Sequence, residues 1–88
     1  MKVAYTPRFL RLYKKLPAGL QDEVIEKIEQ FKDIRNHQRL EVHKLKGRLK
    51  KFYGFSVDYQ NRIIYEYMSD NEVALLAVGD HKIYDLFL

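Results

Sequence analysis

Two apolar-polar alternations dominate the middle of the chain. Tyr53, Phe55, Val57 and Tyr59 alternate with Gly54, Ser56 and Asp58, and Ile63, Tyr65 and Tyr67 alternate with Arg62, Ile64 and Glu66. Both runs are rich in aromatic and β-branched residues, and the polar Gln60-Asn61 pair separates them, so the stretch Leu49 to Tyr67 predicts a β-hairpin. After a second turn at Ser69-Asp70-Asn71-Glu72 comes Val73 to Gly79, VALLAVG, almost wholly apolar. A short apolar run bounded by turn residues predicts a strand covered on both faces, central in its sheet. Lys2 to Thr6 predicts a short first strand with Val3 and Tyr5 on one face.

The period changes in between. Phe9, Leu12, Tyr13 and Leu16 recur at helical spacing behind Thr6-Pro7, a cap followed by a residue suited to the first helical position. From Leu20 to about Arg35, Leu20, Val24, Ile28 and Phe31 form a stripe widened by Ile25 and Ile34. Glu23 and Lys27 are spaced for a pair along this second helix. Leu16-Pro17-Ala18-Gly19 divides the two segments into a helical hairpin. Asn36 to Leu40 is polar and loop-like, and His43 to Gly47, HKLKG, leads through a short extended piece into a turn. The expected class is α+β in the order β-α-α-β-β-β, a small antiparallel sheet covered on one face by the N-terminal helical hairpin. The other face is free to stay partly open.

The 88 residues contain no linker, repeat or low-complexity segment, so residues 1–88 are expected to form a single domain. There is no cysteine, which excludes a disulfide scaffold and a thiolate metal site and suits a reducing compartment. No apolar run approaches the ~18 residues of a membrane span. Pro7 and Arg8 fall where a signal peptide needs its apolar stretch, so a cytoplasmic location without membrane partners is the expectation.

The net charge of +4 is modest, but its distribution is uneven. His37 to Lys51 carries Arg39, Lys44, Lys46, Arg48, Lys50 and Lys51 against Glu41 alone, which reads either as a solvated basic loop or as a phosphate-facing patch. The three histidines, His37, His43 and His81, show no metal-ligand spacing, so no metal or other cofactor is expected. Without a metal, cleaving RNA requires a base for the ribose 2′-hydroxyl, positive charge beside the phosphorane and an acid for the departing 5′-oxygen. Histidines can move both protons, and Arg or Lys can supply the charge. His43, Lys44, Lys46, Arg62, Asp80 and His81 are the groups that could do so. His37, in a polar loop, reads as a surface residue. Tyr53, Tyr59, Tyr65 and Tyr67 read as half-buried sheet residues, with base stacking open to one or two of them, and Tyr84 as a residue that stacks on a base, assists His81 or packs.

Taken in order, the helical hairpin with LYKKLP, then HKLKG, then FSVDYQNRIIYEY, then LLAVGDHKIYDLF resemble the RelE/ParE superfamily of small bacterial toxins, over essentially the whole chain. The resemblance implies a RelE-like fold and, for the RelE and YafQ-like branches, an mRNA endonuclease acting in the ribosomal A site. Its partners would be the ribosome with A-site mRNA and a cognate antitoxin. It also implies roles: Arg62 at the scissile phosphate, His81 as general acid and His43 as general base with Glu41 as the alternative. Asp80 would support His81, and Lys44, Lys46, Arg48, Lys50, Lys51 and Tyr84 would contact RNA. Val57 and Asn61 stand near the places where the YafQ-like branch has a further histidine and aspartate. Two other readings follow from the same resemblance, a ParE-like inhibitor of DNA gyrase and an inactive relative that only binds its antitoxin.

Overall fold

The computed structural model describes all residues from Met1 to Leu88. Five strands, β1 (Lys2–Tyr5), β2 (His43–Lys44), β3 (Tyr53–Ser56), β4 (Arg62–Ser69) and β5 (Glu72–Gly79), lie in the order β1-β5-β4-β3-β2. The pairs β2–β3, β3–β4 and β4–β5 are antiparallel, as the meander predicts, and β1 returns to pair with β5 in parallel. That return makes β5 an interior strand, consistent with its apolar sequence.

The helices start and stop for local reasons. Helix α1 (Pro7–Lys14) opens where the Thr6 hydroxyl accepts from the Phe9 amide at 3.2 Å and donates to the Leu75 carbonyl at 2.7 Å, tying the helix start to β5. Its end is held by the Gln21 side-chain amide, which reaches the carbonyls of Tyr13, Lys14 and Leu16. Helix α2 (Ala18–Phe31) buries Val24, Ile28 and Phe31. It ends four residues short of the expected Arg35. Ile34 begins a separate 3-10 turn and is 71 % exposed, and Ile25 is 50 % exposed, so the buried stripe is narrower than the sequence suggests. Glu23 and Lys27 form no ion pair; the ion pairs are Lys32–Glu29 and Arg35–Asp33.

The helical hairpin packs on one sheet face around Phe9, Val24, Ile28, Phe31, Tyr65 and Leu75. Phe31 is the hub. Its ring stacks on Phe55 at 4.4 Å and on His37 at 4.7 Å, and meets the Tyr65 ring edge-on at 4.8 Å. His37 is therefore a half-buried packing residue, contrary to the surface role expected for it, and its Nε2–H donates to the Phe31 carbonyl at 2.8 Å. The opposite face carries a second, smaller core of Leu45, Leu49, Phe52, Ile64, Ala77 and Ile83. Ile83 comes from a 3-10 helix, His81–Phe87, formed by the tail. That face is half covered by this helix and half polar, and the polar half holds the site.

Candidate active site

Strand register brings the polar groups together. Ser56, Arg62 and Gly79 lie in one row across β3, β4 and β5, and His43, Gly54, Ile64 and Ala77 lie in a row two positions away. Positions two apart on a strand share a face. Ile64 and Ala77 belong to the second core, so Arg62 and His43 project from the face opposite the helical hairpin.

The turn before Arg62 determines how that side chain is held. Asp58 Oδ1 accepts from the amides of Gln60 at 2.8 Å and Asn61 at 2.7 Å, folding residues 57–61 into a tight loop. Burial alone would raise the Asp58 pKa, but these amides, the Asn61 side chain and the nearby Arg62 charge outweigh it and hold the carboxyl below its ordinary range. The loop ends β3 at Ser56, earlier than the alternation to Tyr59 suggests. Tyr59 is consequently not a half-buried sheet residue: it stands on the loop, 87 % exposed. Arg62 Nη1 donates to the Asp58 carbonyl at 2.9 Å and to the Asn61 carbonyl at 3.4 Å. These carbonyls orient the guanidinium without neutralising it, and no carboxylate is within ion-pair distance.

Arg62 stands between two clefts. One, of about 530 Å³, is lined by Tyr59, Gln60, Asn61, Arg62, Asp80 and His81. The other, of about 340 Å³, is lined by Glu41, Val42, His43, Ser56 and Arg62. His81 is exposed at the start of the C-terminal 3-10 helix. Asp80 caps that helix by accepting from the Lys82 amide at 2.9 Å, a different role from orienting His81, to which it makes no hydrogen bond. Gly79 sets the approach: its φ is +155°, and a Cβ there would come within 2.8 Å of Ile83 Cγ2. Only glycine lets the chain leave β5 and turn into the helix so tightly.

In the second cleft, His43 Nδ1 is 2.8 Å from the Glu41 carbonyl and the Glu41 carboxylate accepts from the Ser56 hydroxyl at 2.9 Å. Glu41 has φ +58°, the one non-glycine residue in the left-handed region. The structure thus collects His43, Glu41, Arg62, Asp80 and His81 along one surface. It does not bring Tyr84 there: Tyr84 is half-buried against the second core, near Phe52 and Phe87. Lys44, Lys46, Arg48, Lys50 and Lys51 are exposed on the segment leading from β2 to β3 and line neither cleft. Ser56 and Tyr59 are the site residues that sequence reasoning did not single out. Ser56 sits at an ordinary polar position of a strand, and the Asp58 turn that exposes Tyr59 is marked only by Asp-x-x-Asn. No group of His, Asp and Glu is arranged to hold a metal ion.

No family model matches the sequence, and no curated protein does. Solved structures match clearly. A chain of the RelBE2 toxin–antitoxin complex of Mycobacterium tuberculosis superposes with a TM-score of 0.72 at 24 % identity, over 91 % of this chain and 96 % of that one. The fold is that of the RelE-like toxins. A chain of the YoeB–YefM complex of Staphylococcus aureus gives 0.71 at 16 % identity, over 92 % and 97 %. A chain of the archaeal RelE–RelB complex of Pyrococcus horikoshii gives 0.68 at 17 % identity, over 90 % and 92 %. The RelE-like sheet is thus kept while most side chains differ, and the chemistry must be argued from this chain's own residues. No helix is long and apolar enough to cross a membrane.

Proposed function

We propose that the protein is a toxin of the RelE/ParE superfamily that cleaves mRNA in the ribosomal A site and is neutralised by an antitoxin. The observation that carries this reading is the guanidinium of Arg62, oriented by backbone carbonyls and shared by a cleft holding His43 and a cleft holding His81. That is the order of charges an in-line attack on a phosphodiester needs, a base, a cation and an acid. His43 Nε2 takes the proton of the ribose 2′-hydroxyl. The freed oxygen attacks the adjacent phosphorus, and Arg62 stabilises the extra negative charge of the phosphorane. Protonated His81 gives its proton to the departing 5′-oxygen. The products are a 2′,3′-cyclic phosphate and a 5′-hydroxyl, and no metal or redox partner enters the balance.

The exposed lysines and arginine of residues 44–51 supply non-specific attraction to RNA phosphates, and Tyr59 offers a ring at the mouth of the His81 cleft. The antitoxin reading is supported by the fold-neighbours solved as toxin–antitoxin complexes. The test is translation in a reconstituted system with the purified protein, mapping the 5′ ends of the cleaved mRNA by primer extension. Cleavage at A-site codons that falls by about 10²-fold or more in Arg62→Ala is expected, the magnitude typical of removing a group that stabilises transition-state charge. Intact mRNA together with inhibited supercoiling by gyrase would instead establish the ParE-like activity.

A further inference from the structure

Glu41 joins three features that the catalytic sequence above does not use. It occupies the left-handed region at φ +58°, a conformation that a residue with a long side chain adopts at a cost. Its carboxylate is tied across the sheet to the Ser56 hydroxyl at 2.9 Å. Its carbonyl lies 2.8 Å from His43 Nδ1. A carbonyl oxygen can only accept, so the proton on neutral His43 must reside on Nδ1, and Nε2 keeps its lone pair. The imidazole is exposed, and Nε2 has no partner within the protein.

We propose that Glu41 is the positioning residue for His43, its left-handed backbone aiming the carbonyl that selects the Nδ1–H tautomer and leaves Nε2 as the free base. The Ser56–Glu41 hydrogen bond supports this from the neighbouring strand. Ser56 sits opposite Arg62, so the same strand that anchors Glu41 also sets the distance between base and cation. The selection matters because an isolated imidazole favours the other tautomer, in which Nε2 carries the proton and cannot accept one. The kinetic part of the proposal rests on the nuclease reading; the tautomer does not.

Two substitutions separate backbone from carboxylate. Glu41→Gly removes the carboxylate but suits the positive φ, whereas Glu41→Val disfavours that φ strongly. Long-range 1H–15N correlation of histidine-labelled protein at a pH where the imidazoles are neutral, with the His43 signals assigned by their loss in His43→Ala, reads the tautomer directly. Nδ1–H is expected in the wild type and in Glu41→Gly, with loss of that preference in Glu41→Val. If Glu41→Val does not fold, Glu41→Ala serves in its place: like Glu41→Gly it removes the carboxylate, but its Cβ disfavours the positive φ, and it is expected to shift the His43 tautomer signals partway toward those of a free imidazole. A wild-type His43 in the Nε2–H form overturns the proposal, as do signals unmoved by the variant used. In the cleavage assay, Glu41→Gly is expected to retain more activity than Glu41→Val or its replacement, because it keeps the tautomer that leaves Nε2 free. Cleavage abolished in Glu41→Gly with the tautomer retained makes the carboxylate itself the base and overturns the positioning role. Absence of cleavage in every protein, wild type included, counts against the nuclease reading and leaves the tautomer result standing.

Discussion

At the scale of single residues, the site depends on backbone geometry more than on unusual side-chain environments. Arg62 is oriented by two carbonyls of the preceding turn. Lysine offers one point charge where arginine offers a planar fork, so Arg62→Lys is expected to lose about 10-fold or more in cleavage while the melting temperature stays unchanged. Gly79→Ala meets both the +155° φ and Ile83 at 2.8 Å. A cost of about 1–3 kcal/mol is expected, read as a drop of about 4–8 °C in Tm per kcal/mol for a domain of this size, with activity falling because His81 lies two residues on.

Asp58 makes a pH prediction whose sign follows from its lowered pKa. Its contribution to stability is complete above the unfolded value near ~3.9 and is lost as pH falls through the folded value. In Asp58→Asn an uncharged amide oxygen can accept the same turn amides. Urea midpoints between pH 7 and pH 2.5 should therefore fall less steeply below about pH 4 in the variant than in the wild type. The residues that sequence reading placed least well are those whose role is set by local backbone. Glu41 requires knowledge of a positive φ, and His37 requires knowledge that the chain folds back over Phe31. Neither leaves a periodic trace.

At the scale of elements, what was legible was whatever repeats. The β3–β4–β5 meander followed from alternation and turn residues, and the helical hairpin from the Leu20, Val24, Ile28, Phe31 spacing and the Thr6-Pro7 start. The parallel return of β1 to β5 was not legible, because a parallel pair has no connecting turn to announce it. The two-residue β2 was too short to carry a period, and the tail helix His81–Phe87 shows one buried residue, Ile83, in seven. The end of α2 was overestimated because Ile34 keeps the helical spacing while pointing outward. Phe31, by contrast, joins α2, β3 and β4 through stacked and edge-on rings. Phe31→Ala should cost about 3–5 kcal/mol in chemical denaturation, a large share of the ~5–15 kcal/mol typical of a whole domain.

At the scale of the whole molecule, the sheet separates two jobs. One face is closed by the helical hairpin and supplies stability. The other is closed at one side by the tail helix and left polar at the other, where Arg62 faces two clefts. The basic residues of segment 44–51 are exposed but line neither cleft, and under the nuclease reading their charge would make RNA binding salt-dependent. Lys44→Gln with Lys46→Gln should weaken ribosome binding and flatten the plot of log affinity against log salt by about 0.7–0.9 per charge removed, within the nucleic-acid range.

The central claim is that this surface cleaves RNA by attack of the substrate's own 2′-hydroxyl, with Arg62 between base and acid. The most direct measurement programs ribosomes with an mRNA bearing one 2′-deoxynucleotide on the 5′ side of the scissile phosphate and compares it with the all-ribose message. Loss of cleavage at that bond alone, with a 2′,3′-cyclic phosphate on the all-ribose product, is the predicted result. Continued cleavage at the deoxy position would contradict it.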